Sequence, residues 1–339
     1  MKLLSYYRYH YGFYRLDKPF TIGGVPKLTA AEKKQIRETW EGVDINFLDY
    51  TWSRIYKKIK GFSPYYLGAL WNQEIDYKVN PTSQVVALEN KALCDVYFPE
   101  LNFPKPYVRC LNGSLFDEKM NYISMSEAIA ILKMQERFVI KPSVDTMQGS
   151  GVKVVKVQET PDIESVMNSA GKNFIVQEAL KQLKVIEELN PTSLNCFRVT
   201  SMYFNGRFGF ATALKVGKKG ATRDNWNSAY WIGVDKNGVL LDYGFDYKTQ
   251  KVYQTDNGIK FSGLTIPNFD RLISFVETNH KKYFPHCGII GWDITIDSKG
   301  VVRVIETNLK NPGTQIEQLC SGPFLEPFRD DICKIMKRK

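Results

Sequence analysis

Apolar positions recur at helical spacing in the first third of the chain and alternate with period two through much of the remainder. Residues 28–40, LTAAEKKQIRETW, predict a helix: Thr29 caps it, Glu32 completes a capping box, and Gly42 follows its end. Residues 47–60 predict a second, with Leu48, Trp52, Ile55, Tyr56 and Ile59 on one face and Gly61 and Pro64 beyond it. Two further helical stretches, around Glu89–Tyr97 and Ser124–Met134, flank a segment broken by Pro104 and Pro106. From Arg137 the texture changes to strands: RFVIKPS, a glycine-containing loop, GVKVVKV, a short helix near Ile163–Ser169, and FIVQEAL. Three hairpins follow, turning at Asn205-Gly206, at Asn237-Gly238 and at residues 297–300, DSKG. A helix over Phe269–Tyr283 precedes the last hairpin, and a basic helix ends the sequence. Helices first and antiparallel hairpins afterwards predict an α+β fold and argue against a doubly wound parallel sheet.

With 339 residues there is room for one large domain or two to three subdomains, and 43% apolar against 24% charged residues excludes wholesale disorder. No run of about 18 uncharged apolar residues predicts a membrane span. The first twenty residues carry Arg8 and Arg15 without a continuous apolar block, unlike a secretory signal. Six scattered cysteines form no C-x-x-C pair, which points away from disulfides and zinc and towards the reducing cytoplasm. The net charge is +10, and residues 1–60 contribute +6 of it together with twelve aromatics. That mixture fits a peripheral contact with anionic lipid at the inner membrane face, or a tyrosine-rich element packed on the main body. No recognition motif accompanies the charge, so nucleic acid is not an expected partner.

The last hairpin carries the most chemistry. With Ile296 set opposite Val301, Asp293 faces Val304 and Gly291 faces Glu306. Asp293, Glu306 and Asn308 then project from one face, the two acids as diagonal neighbours about 7–8 Å apart. Two carboxylates and an amide, without His or Cys, suit Mg²⁺ or Mn²⁺. A hairpin with polar residues on its wet face explains each acid separately. It leaves unconnected the apolar flanks Ile289, Ile290, Val304 and Ile305, and the Asn-Pro-Gly at 311–313.

A phosphate ligand for such a metal needs cations and N–H donors. Lys141 ends the strand RFVIK, and the loop 145–151, DTMQGSG, has two glycines that permit close backbone approach. No G-K-[ST] follows them, so this is no Walker A loop; taken alone, it reads as a plain turn. Gln177, Glu178, Ala179 and Leu180 end the next apolar strand, where backbone groups can meet an adenine edge. Arg198 opens the following strand and Lys215 ends its partner; a bidentate anion clamp and a surface ion pair are both open to Arg198.

The order of these elements resembles the ATP-grasp enzymes over residues 85–315: Lys91 in a helix, Lys141 before a glycine loop, QEAL, then GWDI and IETN in a terminal hairpin. Within them, NPTSLNCFRVTSM, ALKVG and Asp224-Asn225 look like the sugar-transfer-associated ATP-grasp branch, linked to surface polysaccharide and capsule biosynthesis. The resemblance implies two α+β subdomains gripping ATP (85–190 with the glycine loop, 191–339 with the metal hairpin) behind a mainly helical region, 1–84. It implies that Lys91 and Lys141 contact ATP phosphates under Gly149, Ser150 and Gly151. Gln177, Glu178 and Leu180 would line the adenine pocket, Glu187 or Glu188 would take the ribose, and Asp293, Glu306 and Asn308 would bind Mg²⁺. Arg198 and Lys215 would meet the γ-phosphate or the developing negative charge. Two departures matter: Gly291 stands where D-alanine–D-alanine ligase has an arginine, which moves the oxyanion role to Arg198, and Asn227-Ser228-Ala229 replaces a glycine pair of the branch.

The chemistry so implied is ligation of a carboxylate to an amine through an acyl phosphate, on a small-molecule or lipid-linked carboxylated sugar. Such a transfer needs positioning and charge neutralisation rather than a protein nucleophile, in keeping with only three histidines and no Ser-His-Asp pattern. A kinase acting on a sugar hydroxyl and a non-catalytic relative are the alternatives.

Overall fold

The computed structural model describes residues 24–45, 47–68, 75–144, 151–222, 227–310 and 312–337. Alternating apolar side chains in this part of the chain build two sheets, and every pairing in them is antiparallel. The first contains β1 (Pro106–Leu111), β2 (Ser114–Phe116), β3 (Tyr122–Ile123), β4 (Arg137–Pro142), β5 (Lys153–Lys156) and β6 (Phe174–Glu178) in the order β3-β2-β1-β6-β4-β5. The second contains β7 (Cys196–Phe204), β8 (Arg207–Gly217), β9 (Ala229–Val234), β10 (Leu240–Phe245), β11 (Lys251–Val252), β12 (Ile289–Ile296) and β13 (Val302–Asn308). Its order is β11-β10-β9-β8-β7-β12-β13. The α+β class therefore holds.

Several predicted elements form where the pattern put them. Helix Ala30–Thr39 starts at a capping box in which the Glu32 N–H donates to Thr29 Oγ1 at 3.1 Å and the Thr29 N–H to Glu32 Oε2 at 2.7 Å. Helix Phe47–Lys60 buries Trp52, Ile55 and Tyr56, so the described part of the basic, aromatic stretch is packed structure; residues 1–23 lie outside the described residues. Helices Ile163–Ser169 and Phe269–Tyr283 and the three hairpins are present. At the first hairpin Asn205 and Gly206 both take positive φ, 50° and 77°, the backbone a two-residue turn requires.

Three expectations fail. Strands begin at Pro106 rather than Arg137: β1 carries Arg109 at its centre, which hides the strand pattern. That side chain is wholly buried, with Nε donating to Ala92 O at 2.8 Å and an ion pair to Asp95. The stretch Glu89–Tyr97 is not one helix. A 3₁₀ turn (Val86–Glu89) and a short helix (Cys94–Tyr97) flank a turn holding Lys91, because Asn90 Oδ1 accepts from the Ala92 N–H at 3.1 Å and diverts the backbone. The register of the last hairpin also differs: Ile296 pairs with Val302, and beyond Ile294–Val304 a bulge at Ile305 sets Asp293 opposite Glu306 and Gly291 opposite Asn308. Gly300, at φ 79°, closes a loop in which Asp297 Oδ1 accepts from the Lys299 and Val301 N–H groups at 2.9 and 3.0 Å. Two slips of one residue restore the parity, so the three polar side chains still share a face.

The second sheet is covered on both sides. Ile290, Trp292, Ile294 and Ile296 point into a core completed by Leu272 and Val276 of helix Phe269–Tyr283. On the other face Trp231 and Phe245 pack under Trp52, Ile55, Ile316 and Leu319, from helices Phe47–Lys60 and Gln315–Ser321. Behind the hairpin, Trp292 Nε1 donates to Ser201 Oγ (2.8 Å) and Ser201 meets His280 Nδ1 (2.8 Å). His280 Nε2 faces the Cys287 carbonyl at 2.8 Å, so it carries the proton and the ring is neutral. Asn80 pins both ends of the hairpin: its Nδ2 donates to Ile289 O (2.5 Å) and Leu309 O (2.7 Å), and its Oδ1 accepts from the Ile289 N–H (3.2 Å).

Replacing Asn80 by Ala strands buried backbone groups at both hairpin ends and is expected to cost about 2–4 kcal/mol, read from urea unfolding. Burial holds the His280 pKa down at about 4, against 6.5 for a free side chain, with the Cys287 carbonyl opposing weakly. The stability that depends on neutral His280 is therefore complete above pH 6.5 and is lost as pH falls towards 4, by about 3 kcal/mol. Urea midpoints measured between pH 7 and 4 should fall less steeply in His280→Gln than in the wild type.

Candidate active site

The register brings most of the predicted polar residues to one place. Asp293 on β12 sits between β7 and β13, opposite Arg198 on one side and Glu306 on the other. It is buried, and both its oxygens are held: Oδ1 accepts from Arg198 Nε (2.9 Å) and Lys215 Nζ (2.8 Å), Oδ2 from Arg198 Nη2 (2.9 Å). Lys215 also lies 5.9 Å from the centre of the Trp231 ring. Of the two readings open to Arg198, a surface ion pair is ruled out, since its bidentate partner is a buried acid. Burial alone would raise the Asp293 carboxyl; Arg198 and Lys215 outweigh it and hold the group well below the usual carboxylate range. Burial likewise disfavours the Arg198 guanidinium, and Asp293 more than compensates, raising it above its usual range.

Next to this cluster Glu306 accepts an ion pair from Lys91 at 2.8 Å, and Lys141 Nζ donates to the Ile305 carbonyl at 3.3 Å. The turn that replaces the expected helix fixes Lys91 by donating its N–H to Ser143 O (3.0 Å), just past the end of β4. Lys91, Lys141, Gln177 and Glu306 line one narrow pocket with Phe103 and Thr307. Burial pulls the Lys141 ammonium down to about 8, with Glu306 partly offsetting it. Asn308 donates through Nδ2 to Gly291 O at 3.0 Å. Gly291 leaves the space beside it to Arg198: a Cβ there would meet Arg198 Nη1 at 3.2 Å and Pro312 Cβ at 3.0 Å.

Other predicted residues lie apart. The Glu178 carboxylate is taken by Arg303 and by the Lys105 N–H at 2.9 Å, so its side chain is a strut between the sheets. Leu180 is half-buried outside the pocket lining, and Glu187 is exposed at the end of helix Lys184–Glu187. Gly151 takes φ 79° and crowds Pro142, where a Cβ would come within 2.7 Å of Cγ. Gly149, Ser150, Asp224 and Asn225 fall outside the described residues.

Two acids at the site gave no signal in the sequence. Glu89 Oε1 accepts from the Leu309 and Lys310 N–H groups, each at 2.7 Å, and so holds the chain just beyond Asn308. Glu317 lies in helix Gln315–Ser321, where burial pushes its carboxyl up to about 7 against the pull of Arg198. Each reads as an ordinary polar position in a short helix.

Among the described residues no group of three or more His, Cys, Asp or Glu is placed to hold a metal. The available set is thus two facing carboxylates and one amide, an all-oxygen donor set that fits a hard divalent cation.

Two antiparallel α+β units with lysines of the first aimed at an acidic hairpin of the second define an ATP-grasp fold. The chain belongs to the sugar-transfer-associated ATP-grasp family, whose model matches residues 70–334. No curated protein matches it. Among solved structures it is similar to D-cycloserine synthetase DcsG, at 12% identity over 90% of this chain and 93% of that one, with a TM-score of 0.48. D-alanyl-alanine synthetase A from Vibrio cholerae O1 biovar eltor is 12% identical over 73% of this chain, with a TM-score of 0.43. D-alanine–D-alanine ligase from Helicobacter pylori is 13% identical over 76%, also at 0.43. The chain spans 63% and 61% of the lengths of those two ligases, less than two thirds of either.

Because Glu306 supports the charged form of Lys141 from across the pocket, Glu306→Gln should lower the Lys141 titration midpoint further below 8. Lysine side-chain ¹⁵N NMR between pH 6 and 10 checks the direction; an unmoved or raised midpoint contradicts the coupling.

Proposed function

We propose that this protein is an ATP-dependent carboxylate–amine ligase that works through an acyl phosphate on a carboxylated sugar or sugar precursor. The observation that carries the reading is the facing pair Asp293 and Glu306, with four cationic side chains (Arg198, Lys215, Lys91 and Lys141) converging on it or lining the pocket beside it. The sugar-transfer association of the family supports a sugar-linked substrate.

In this reading Lys91 and Lys141 bind the phosphates of ATP. The strand end at Gln177–Leu180 receives the adenine through backbone groups; the Glu178 carboxylate is already committed to Arg303. Asp293, Glu306 and Asn308 would hold Mg²⁺ or Mn²⁺, which would supply neutralisation of phosphate charge when bound. Arg198 and Lys215 orient the γ-phosphate and counter the charge that builds as a substrate carboxylate oxygen attacks phosphorus and ADP leaves. The amine then attacks the acyl carbon, phosphate departs, and the nitrogen loses a proton to give the amide.

Across a panel of uronic acids, amino acids and nucleotide sugars, ADP release accompanied by hydroxamate formation with hydroxylamine is expected for at least one carboxylate. Glu306→Ala should abolish both while leaving the circular dichroism spectrum unchanged. ADP release without hydroxamate would indicate phosphorylation of a hydroxyl instead, and full activity in Glu306→Ala would end the assignment.

A further inference from the structure

The two lysines assigned to the phosphates of ATP are held in unequal ways. Lys141 stands on β4, fixed by the ladder to β6. Lys91 stands in a turn outside both sheets, so its place depends on what grips that turn. At the start of the turn the Lys91 N–H donates to Ser143 O at 3.0 Å, and the Ala92 N–H donates to Asn90 Oδ1 at 3.1 Å. Its far side is met by Arg109.

Arg109 faces Ile175 of β6, and Ile175 faces Lys141 of β4. Residues directly opposite one another share a face, so the three form one row across the first sheet, with two strand spacings, about 9–10 Å, between Arg109 and Lys141. Lys141 extends from that face to the last hairpin, where its Nζ donates to Ile305 O. Arg109 spends its guanidinium on two turns. Nε donates to Ala92 O at 2.8 Å and Nη2 pairs with Asp95; Nη1 donates to Glu118 O at 3.1 Å and lies 3.6 Å from Met120 Sδ. Lys91, Cys94 and Asp95 line the pocket that also holds Lys141 and Glu306, so the segment gripped by Arg109 is the pocket's wall.

Strand β1 does not need this charge in order to pack. Val108 and Cys110 on either side are buried, Arg109 itself is 0% exposed, and replacing a buried ion pair by apolar side chains of similar volume is often neutral or stabilising. A planar fork of N–H donors does what no apolar side chain can, holding the carbonyls of two separate turns in one fixed geometry.

We propose that Arg109 is a positioning residue that locks the turn bearing Lys91 against the 117–120 turn, and so holds the Lys91 ammonium in place for the phosphates of ATP. The proposal rests on the assignment of Lys91 to those phosphates. Arg109 touches no part of the pocket's contents; its effect travels through the Ala92 carbonyl, one residue from Lys91, and through Asp95. Without it Lys91 is still present but has to be ordered when the nucleotide binds, and affinity falls by the loss of that pre-organisation.

The test is isothermal titration calorimetry with the non-hydrolysable ATP analogue AMP-PNP and Mg²⁺. The proteins compared are the wild type, Arg109→Met, Lys91→Ala and the double variant, with thermal melts as a check of folding. Arg109→Met should weaken AMP-PNP about tenfold, whereas the same change in the Lys91→Ala background should alter it less than about twofold, since coupled residues lose additivity. Arg109→Lys keeps the charge but has a single ammonium for two turns; it should lose at least about threefold in the same cycle and serves if Arg109→Met does not fold. Wild-type affinity in the Arg109 variants, or an equal loss in both backgrounds, overturns the positioning role and leaves Lys91 as a phosphate ligand. Absence of AMP-PNP binding by the wild type, or undiminished binding by Lys91→Ala, overturns both.

Discussion

A buried carboxylate shared by an arginine and a lysine is the constraint around which this molecule is arranged. Asp293 can be ionised inside the second sheet only because Arg198 lies beside it on β7 and Lys215 reaches it from β8. Breaking a buried ion pair by removing one partner typically costs about 3–5 kcal/mol, so the three strands are tied to one another by charge as well as by their ladders. The opposite face of the same strand is apolar, and its one large polar group, the Trp292 indole, is satisfied by Ser201 and through it by His280. β12 thus presents chemistry on one side and core on the other, and neither side can shift without disturbing its partner.

The site is a seam between the two sheets. Lys91 to Glu306, Lys141 to Ile305, Arg303 to Glu178, and Glu89 to the N–H groups after Asn308 all join elements around the first sheet to the last hairpin of the second. Most of these contacts involve a charged group, and charge-assisted hydrogen bonds are the stronger kind. Where lysines of one unit rest on acids of the other, an anionic ligand entering the seam exchanges with interactions already present. It need not create a charged cavity from nothing.

Local pattern carried well where a single element controls its own shape. The capping box at Thr29 and Glu32, the Asn205-Gly206 turn and the periodicity of Phe269–Tyr283 are decided within a few residues, and the elements form as expected. It failed where a distant group intervenes. Arg109 disguises β1 because its charge is met by Asp95 and by carbonyls from another segment. Lys91 leaves the predicted helix for a turn docked on Ser143. The hairpin register differs for a local reason instead: Asp297 gathers two N–H groups in a glycine-closed loop and Ile305 bulges.

What the residues alone determined is the kinds of groups the terminal hairpin offers and that Glu306 and Asn308, two apart on one strand, share a face. Oxygen donors suit hard cations, and Asp293 joins the same face because the shifted turn and the bulge at Ile305 cancel. Tertiary structure decided everything that depends on distance through space. It placed Glu306 opposite Asp293, committed Glu178 to Arg303, and brought Glu89 and Glu317 to the site from short helices that carry no signature of it. The reason is that charges and hydrogen bonds act over a few ångströms regardless of chain separation, and only the packed sheets bring such distances about.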